Sequence, residues 1–153
     1  MKRYLLCIVF LLPYSVYSQV NIESLRDTKP AIGITNTVDF STKFLTGNTH
    51  HSQINIDYHG NIKKNNHSWL ILSTYSKGSS KGTPYLDKGF LHIRRTSPLQ
   101  QNNALELFFQ AQYNTFIDLT DRKLIGSGLR YKLTTQSFAG IGLMLEQETL
   151  KTK

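Results

Sequence analysis

Between Ile32 and Phe44 the chain alternates almost without interruption. Ile32, Ile34, Val38, Phe40 and Phe44 hold one parity, while Thr35, Thr37, Asp39, Ser41 and Lys43 hold the other. Successive side chains of a strand point to opposite faces, so this stretch, once extended, has one apolar face and one polar, ionic face. The same period returns at Ile54, Ile56 and Tyr58 against Gln53, Asn55, Asp57 and His59. Nothing behind it carries a helical period, which argues against helical-bundle and α/β folds.

Ahead of that pattern, Lys2 and Arg3 precede an apolar run from Tyr4 to Leu12, Pro13 breaks the run, and Val16-Tyr17-Ser18 stands before Gln19. This order of charge, short apolar run and small residue predicts a Sec-type signal peptide over residues 1–18. The run is about half of the roughly 20 residues that a membrane-spanning helix needs. Cys7, the only cysteine, lies inside the run and not at the cleavage point where lipidation would act. The exported part therefore has no cysteine, which excludes a disulfide scaffold. Loss of Lys2 and Arg3 lowers the formal net charge from +8 to +6. In an exported chain whose charges are spread over turns and strand faces, that balance suits anionic lipid head groups better than nucleic acid.

Residues 19–31 read as a polar lead-in, with Pro30 opposing a helix across it. One partial β-barrel domain is expected over 32–153. Its seven strands are expected at 32–45, 50–60, 68–76, 86–95, 104–114, 123–133 and 138–147, close to the 9–11 residues of a tilted membrane strand. Turn and loop compositions separate them at 46–48, 61–67, 77–84 and 97–103. Leu105, Leu107, Phe109, Ala111 and Tyr113 oppose Glu106, Gln110, Gln112 and Asn114, with Phe108 the one exception. Leu129, Tyr131 and Leu133 oppose Arg130 and Lys132, and Ala139, Ile141, Leu143 and Leu145 oppose Gly140, Gly142 and Glu146. In 68–76, Trp69 and Ile71 compete with Leu70 and Leu72 for the apolar face, and the pattern does not orient that strand.

A barrel in hydrocarbon shows apolar side chains outside and tolerates polar ones in its lumen. A soluble periplasmic or secreted ligand-binding barrel also alternates, but with its apolar face turned inward. Ionic groups on the polar face, aromatic residues toward strand ends (Phe44, Tyr58, Tyr113) and export without cysteines favour the membrane. The expected lumen then contains Asp39, Lys43, Asp57, Glu106, Arg130, Lys132 and Glu146. Their mixed signs predict salt bridges that brace or plug a narrow barrel more than a selective pore.

Three constellations invite chemistry and fall short of it. The histidines are His50, His51, His59, His67 and His92. His51 and His59 share a face but stand about 26 Å apart at roughly 3.3 Å per residue, and no spacing matches a zinc pattern. In Gly78-Ser79-Ser80-Lys81-Gly82-Thr83 the lysine precedes the glycine and no helix follows, so the cradle of a phosphate-binding loop is missing. Gly126-Ser127-Gly128 lacks the spacing of a nucleophile elbow, and its glycines fall on the lumen parity, where they let a strand bend. No catalytic, cofactor-binding or metal-binding residue is assigned.

The stretches NIESLR (21–26), HIR (92–94), LELFFQAQYN (105–114), LTDRKLIGSGLRYKL (119–133) and GIGLMLEQE (140–148), in this order and spacing, resemble the domain-of-unknown-function 481 family. That family is described as salt-induced outer-membrane proteins of barrel type without established catalytic residues, so the resemblance carries over no site residue. It implies an all-β, antiparallel up-and-down outer-membrane β-barrel, reached by Sec-dependent export in a Gram-negative type of bacterium. Its partners would be outer-membrane lipid, lipopolysaccharide and, during assembly, the barrel-insertion machinery. The role expected is non-enzymatic: structural, envelope-stress or small-solute. Family members continue well past the segment resembling GIGLMLEQE, and single-chain bacterial barrels have even strand numbers. Seven strands therefore predict an incomplete barrel, a C-terminally truncated fragment.

Overall fold

The computed structural model describes residues 22–25, 32–48, 50–100, 102–134 and 137–151. The expected signal peptide and most of the lead-in lie outside the described residues. A short 3-10 turn, Ile22–Leu25, comes first. Seven strands follow: β1 Gly33–Leu45, β2 His51–Lys64, β3 His67–Ser80, β4 Thr83–Pro98, β5 Asn103–Asn114, β6 Leu119–Lys132 and β7 Phe138–Leu150. They form one sheet in sequence order, each strand antiparallel to the next. The sheet is not closed: β1 and β7 are its two edges.

The register keeps one parity on one face across the whole sheet. Phe40 stands beside Ile56, Ile56 beside Tyr75, Ile93 beside Phe109, and Ile125 beside Leu145. This apolar face is open, with Phe40 66%, Ile125 59% and Leu143 84% exposed. The other parity is enclosed on the central strands, where Leu70, Leu72, Ser76, His92 and Leu124 are buried, whereas on the edge strands β1 and β7 residues of both parities are exposed. Alternation thus sorts the side chains as expected, and the open face is the apolar one.

The register also orients β3. Trp69 pairs with Ile62 and Ile71 with Gly60, placing Trp69, Ile71 and Tyr75 on the open face. Leu70 and Leu72 face the enclosed side, opposite Arg94 and His92 of β4. β3 is apolar on both faces because its enclosed face is packed, and a packed position favours a leucine over a polar group lacking a partner.

Three expected loops are mostly strand. Segments 61–67 and 77–84 shrink to two-residue turns at 65–66 and 81–82, and 97–103 shrinks to 99–102. Asn65 has φ 55°, and Lys81 and Gly82 have φ 50° and 78°. At 81–82 the positive φ of both central residues is the type I′ geometry, whose twist matches that of the flanking strands, whereas at 65–66 only Asn65 has it. The Lys81 N–H also donates to the His50 carbonyl at 2.7 Å, tying this hairpin to the β1–β2 loop. Polar composition suggested loops here, yet Asn, Ser, Thr and Lys also fit a strand continued beyond its apolar span. A 3-10 turn, Thr115–Ile117, links β5 to β6, and Asn114 Oδ1 caps it by accepting from the Phe116 N–H at 3.1 Å.

Candidate functional site

The enclosed face carries the side chains with chemistry. On β4 and β5, His92 lies between Phe90 and Phe108, with ring centroids 6.4 and 6.0 Å away. His92 is 1% exposed, and its Nδ1 stands 3.2 Å from Gln110 Oε1. Gln110 Nε2 in turn donates to Gln112 Oε1 at 3.2 Å. One step along the strands, the Arg94 guanidinium lies 5.8 Å from the Phe108 ring and 3.5 Å from Glu106 Oε2. Thr96 Oγ1 donates to Glu106 Oε1 at 3.4 Å. Histidine, arginine and glutamate are held here by flat apolar neighbours and by hydrogen bonds across strands.

Phe108 belongs to this stack, which explains its break in the alternation. It pairs across strands with Gly126, where an added Cβ would come within 2.5 Å of Phe108 Cζ. Gly126 leaves the space that the ring occupies. Aromatic rings cover glycines elsewhere in the sheet: Tyr113 lies over Gly89, Tyr58 over Gly60 and Tyr85 over Gly78. Such coverage replaces the packing that a strand glycine lacks.

Toward β7, Arg122 Nε donates to Glu146 Oε1 at 2.6 Å and stands 3.5 Å from Glu148 Oε2. At the other end of the same strands a hollow of about 890 Å³ opens between Arg94, Glu106, Phe108, Arg130, Phe138 and Met144, over Gly128, Gly140 and Gly142. Arg130 sits 4.0 Å above the Phe138 ring. At the opposite side of the sheet, Tyr85 donates to Gln53 Oε1 at 3.1 Å and lies 2.7 Å from His51 Nε2.

All seven residues expected in the lumen share the parity of the enclosed face, with Glu106 and Arg130 half-buried and Asp39, Lys43, Asp57, Lys132 and Glu146 exposed, and they do not converge. Asp39 stands directly opposite Asp57, and Lys43 opposite Gln53. Glu106 and Glu146 find arginine partners, and Lys132 pairs in register with Phe138. Arg94, Arg122 and Glu148 were not among the residues expected there. Strand parity relative to Glu106 and Glu146 was the signal available for them. The histidines scatter: His59 Nε2 lies 3.0 Å from Asn61 Nδ2, and His67 Nδ1 lies 3.0 Å from Ser97 Oγ. Among the described residues no three His, Cys, Asp or Glu side chains gather as a metal site would require.

A single antiparallel meander, apolar and open on one face and ionic and enclosed on the other, is a barrel-type sheet that has not closed. The model of the family described as "Protein of unknown function, DUF481" matches residues 38–138, and the chain belongs to that family. The match begins within β1 and ends on the first residue of β7, so HIR, LELFFQAQYN and LTDRKLIGSGLRYKL lie inside it, while NIESLR and GIGLMLEQE lie outside. No curated protein and no solved structure matches the chain.

Proposed function

We propose that this chain forms the wall of an outer-membrane β-barrel and has no catalytic activity. Its enclosed face would serve a structural, envelope-stress or small-solute role. The observation that carries this reading is the open apolar face, on which Ile34, Val38, Phe40, Phe44, Ile141, Leu143 and Leu145 are each at least 65% exposed. A face of this kind in water is a large exposed apolar patch; in hydrocarbon it is the favourable arrangement. The Arg94–Glu106 and Arg122–Glu146 pairs and the Phe90–His92–Phe108 stack support bracing of the interior. Outer-membrane lipid, lipopolysaccharide and the insertion machinery are the partners this role requires.

Cell fractionation of the full-length protein tests the reading. Recovery with outer membranes and a heat-dependent shift on a denaturing gel are expected. Recovery in the soluble periplasm without that shift would refute it. The 890 Å³ hollow favours one alternative, a soluble ligand-binding barrel. That alternative requires Phe40 and Ile56 to lie in a protected core, so cysteines at these positions would resist labelling from lipid or detergent.

A further inference from the structure

The cross-strand pairs define rows that run perpendicular to the strands. One row reads Val38, Tyr58, Ser73, Leu91, Ala111, Lys123 and Gln147. All seven lie on the open face, yet the row begins apolar on β1 and ends charged and polar on β6 and β7. The apolar band therefore does not follow the rows.

Its edge can be traced toward the end that carries the 81–82 turn. The last large apolar residue of the open face there is Phe44 on β1, Ile54 on β2, Tyr75 on β3, Leu91 on β4, Tyr113 on β5, Ile125 on β6 and Leu145 on β7. Beyond it come Ser52, Lys77, Lys123 and Gln147. The row through Leu145 passes Ile125, Phe109, Ile93, Ile71 and Gly60 and reaches β1 at Asn36, eight residues short of Phe44. At the opposite edge the fall is smaller: Ile34 opens the band on β1, and Ile141 opens it on β7 about two rows lower.

These slopes translate into an angle. At about 3.3 Å per residue and 4.8 Å per strand, eight residues over six steps give about 40°, and the midline, falling by about five residues, gives about 30°. Membrane-spanning barrel strands tilt by roughly 35–45°. The band's height agrees as well: on β2, Ile62 to Ile54 spans about 26 Å along the strand, or about 21 Å along the normal of a slab inclined by 35°. Residues of mixed character mark its rims. The Arg95 guanidinium lies 5.6 Å from the Trp69 ring at one edge, and Tyr113 donates to Asp87 at 2.9 Å at the other. An aromatic body with a polar partner suits a boundary between hydrocarbon and head groups.

We propose that the oblique band is a lipid-hydrocarbon docking surface. It fixes the strands at about 30–40° to the bilayer normal and sets the depth of each outward residue. This rests on the membrane reading above and adds a geometry that location alone does not give. Val38 then lies in the hydrocarbon, while Gln147 of the same row stands about 15 Å away along the normal, at head-group level.

Depth-resolved spin labelling tests this with the full chain in lipid vesicles, using Val38→Cys and Gln147→Cys in a Cys7→Ser background. The Val38 label should collide preferentially with oxygen, and the Gln147 label with a water-soluble nickel chelate. Equal, shallow-to-mid depths in the bilayer at the two sites would overturn the tilt while leaving the membrane location intact. Full access of the chelate to both labels in the presence of vesicles would overturn the membrane reading and the tilt together. The pair Phe109→Cys and Lys123→Cys on the adjacent strands β5 and β6 repeats the comparison away from the sheet edges. There Phe109 should be the deeper site, and the reverse order would also overturn the proposal.

Discussion

Gly126→Ala concentrates the packing logic of the enclosed face in one methyl group. A Cβ at this position would stand 2.5 Å from Phe108 Cζ, 2.6 Å from Phe108 Cε1 and 2.8 Å from the Leu143 carbonyl oxygen. The carbonyl belongs to the β6–β7 ladder and cannot retreat without loosening it. The ring would have to move by about 1 Å to restore ordinary contact, against His92 on one side and Arg94 on the other. Overpacking of this kind costs about 1–3 kcal/mol, and replacing a strand glycine returns about 0.5–1 kcal/mol of backbone entropy. The net expectation is a loss of about 1–2 kcal/mol. Phe108→Leu removes the two ring atoms that clash, so Gly126→Ala combined with Phe108→Leu should lose less than the sum of the single changes, by about 1 kcal/mol. Urea unfolding of the protein in detergent or lipid, followed by Trp69 fluorescence, gives the four midpoints of the cycle. Wild-type stability in Gly126→Ala, or strict additivity in the double variant, would refute the claim that Phe108 occupies the space which Gly126 leaves.

Other changes probe separate parts of the sheet. Glu146→Gln weakens the 2.6 Å contact with Arg122, both side chains being less than a third exposed, and should cost about 1 kcal/mol. High salt should narrow that gap between variant and wild type if the pair is electrostatic. Gly82→Val places a β-branched residue at φ 78° and should cost at least about 1 kcal/mol through turn strain, read as a lowered unfolding midpoint. Leu143→Lys introduces a charge into the middle of the open apolar face and should cost about 2–4 kcal/mol in a bilayer. Gln147→Lys, two turns of the pleat further along β7, should be tolerated. Equal membrane yields of those two variants would contradict the assigned band.

Much of this architecture is legible in the sequence because a strand's two faces are written at period two. The alternation from Ile32 to Phe44 names the face of every residue in β1 before any register is known, and the same holds for β5 and β7. β3 resists the same treatment. Trp69, Leu70, Ile71 and Leu72 are all apolar, since one face meets the open side and the other is packed against β4. Only pairing with neighbours separates them. Turn boundaries are blurred for a related reason: Lys64 and Lys77 are polar because they stand beyond the ends of the apolar band, and Asn61 because it lies on the enclosed face, not because the strand has stopped. The interior partners Arg94 and Arg122 depend on cross-strand distances, so parity could place them on the enclosed face but could not pair them with Glu106 and Glu146.

The strand count has a directional consequence. β1 and β7 both run toward the end of the sheet that carries the 81–82 turn, because six antiparallel steps separate them. Joined directly, they would make a parallel seam, unlike the six antiparallel junctions of the rest of the wall. A neighbour antiparallel to both edges restores the alternation only when an odd number of strands stands between β7 and β1. Closure is therefore a question of chain direction as well as circumference, and the two edges already prescribe the heading of whatever completes them.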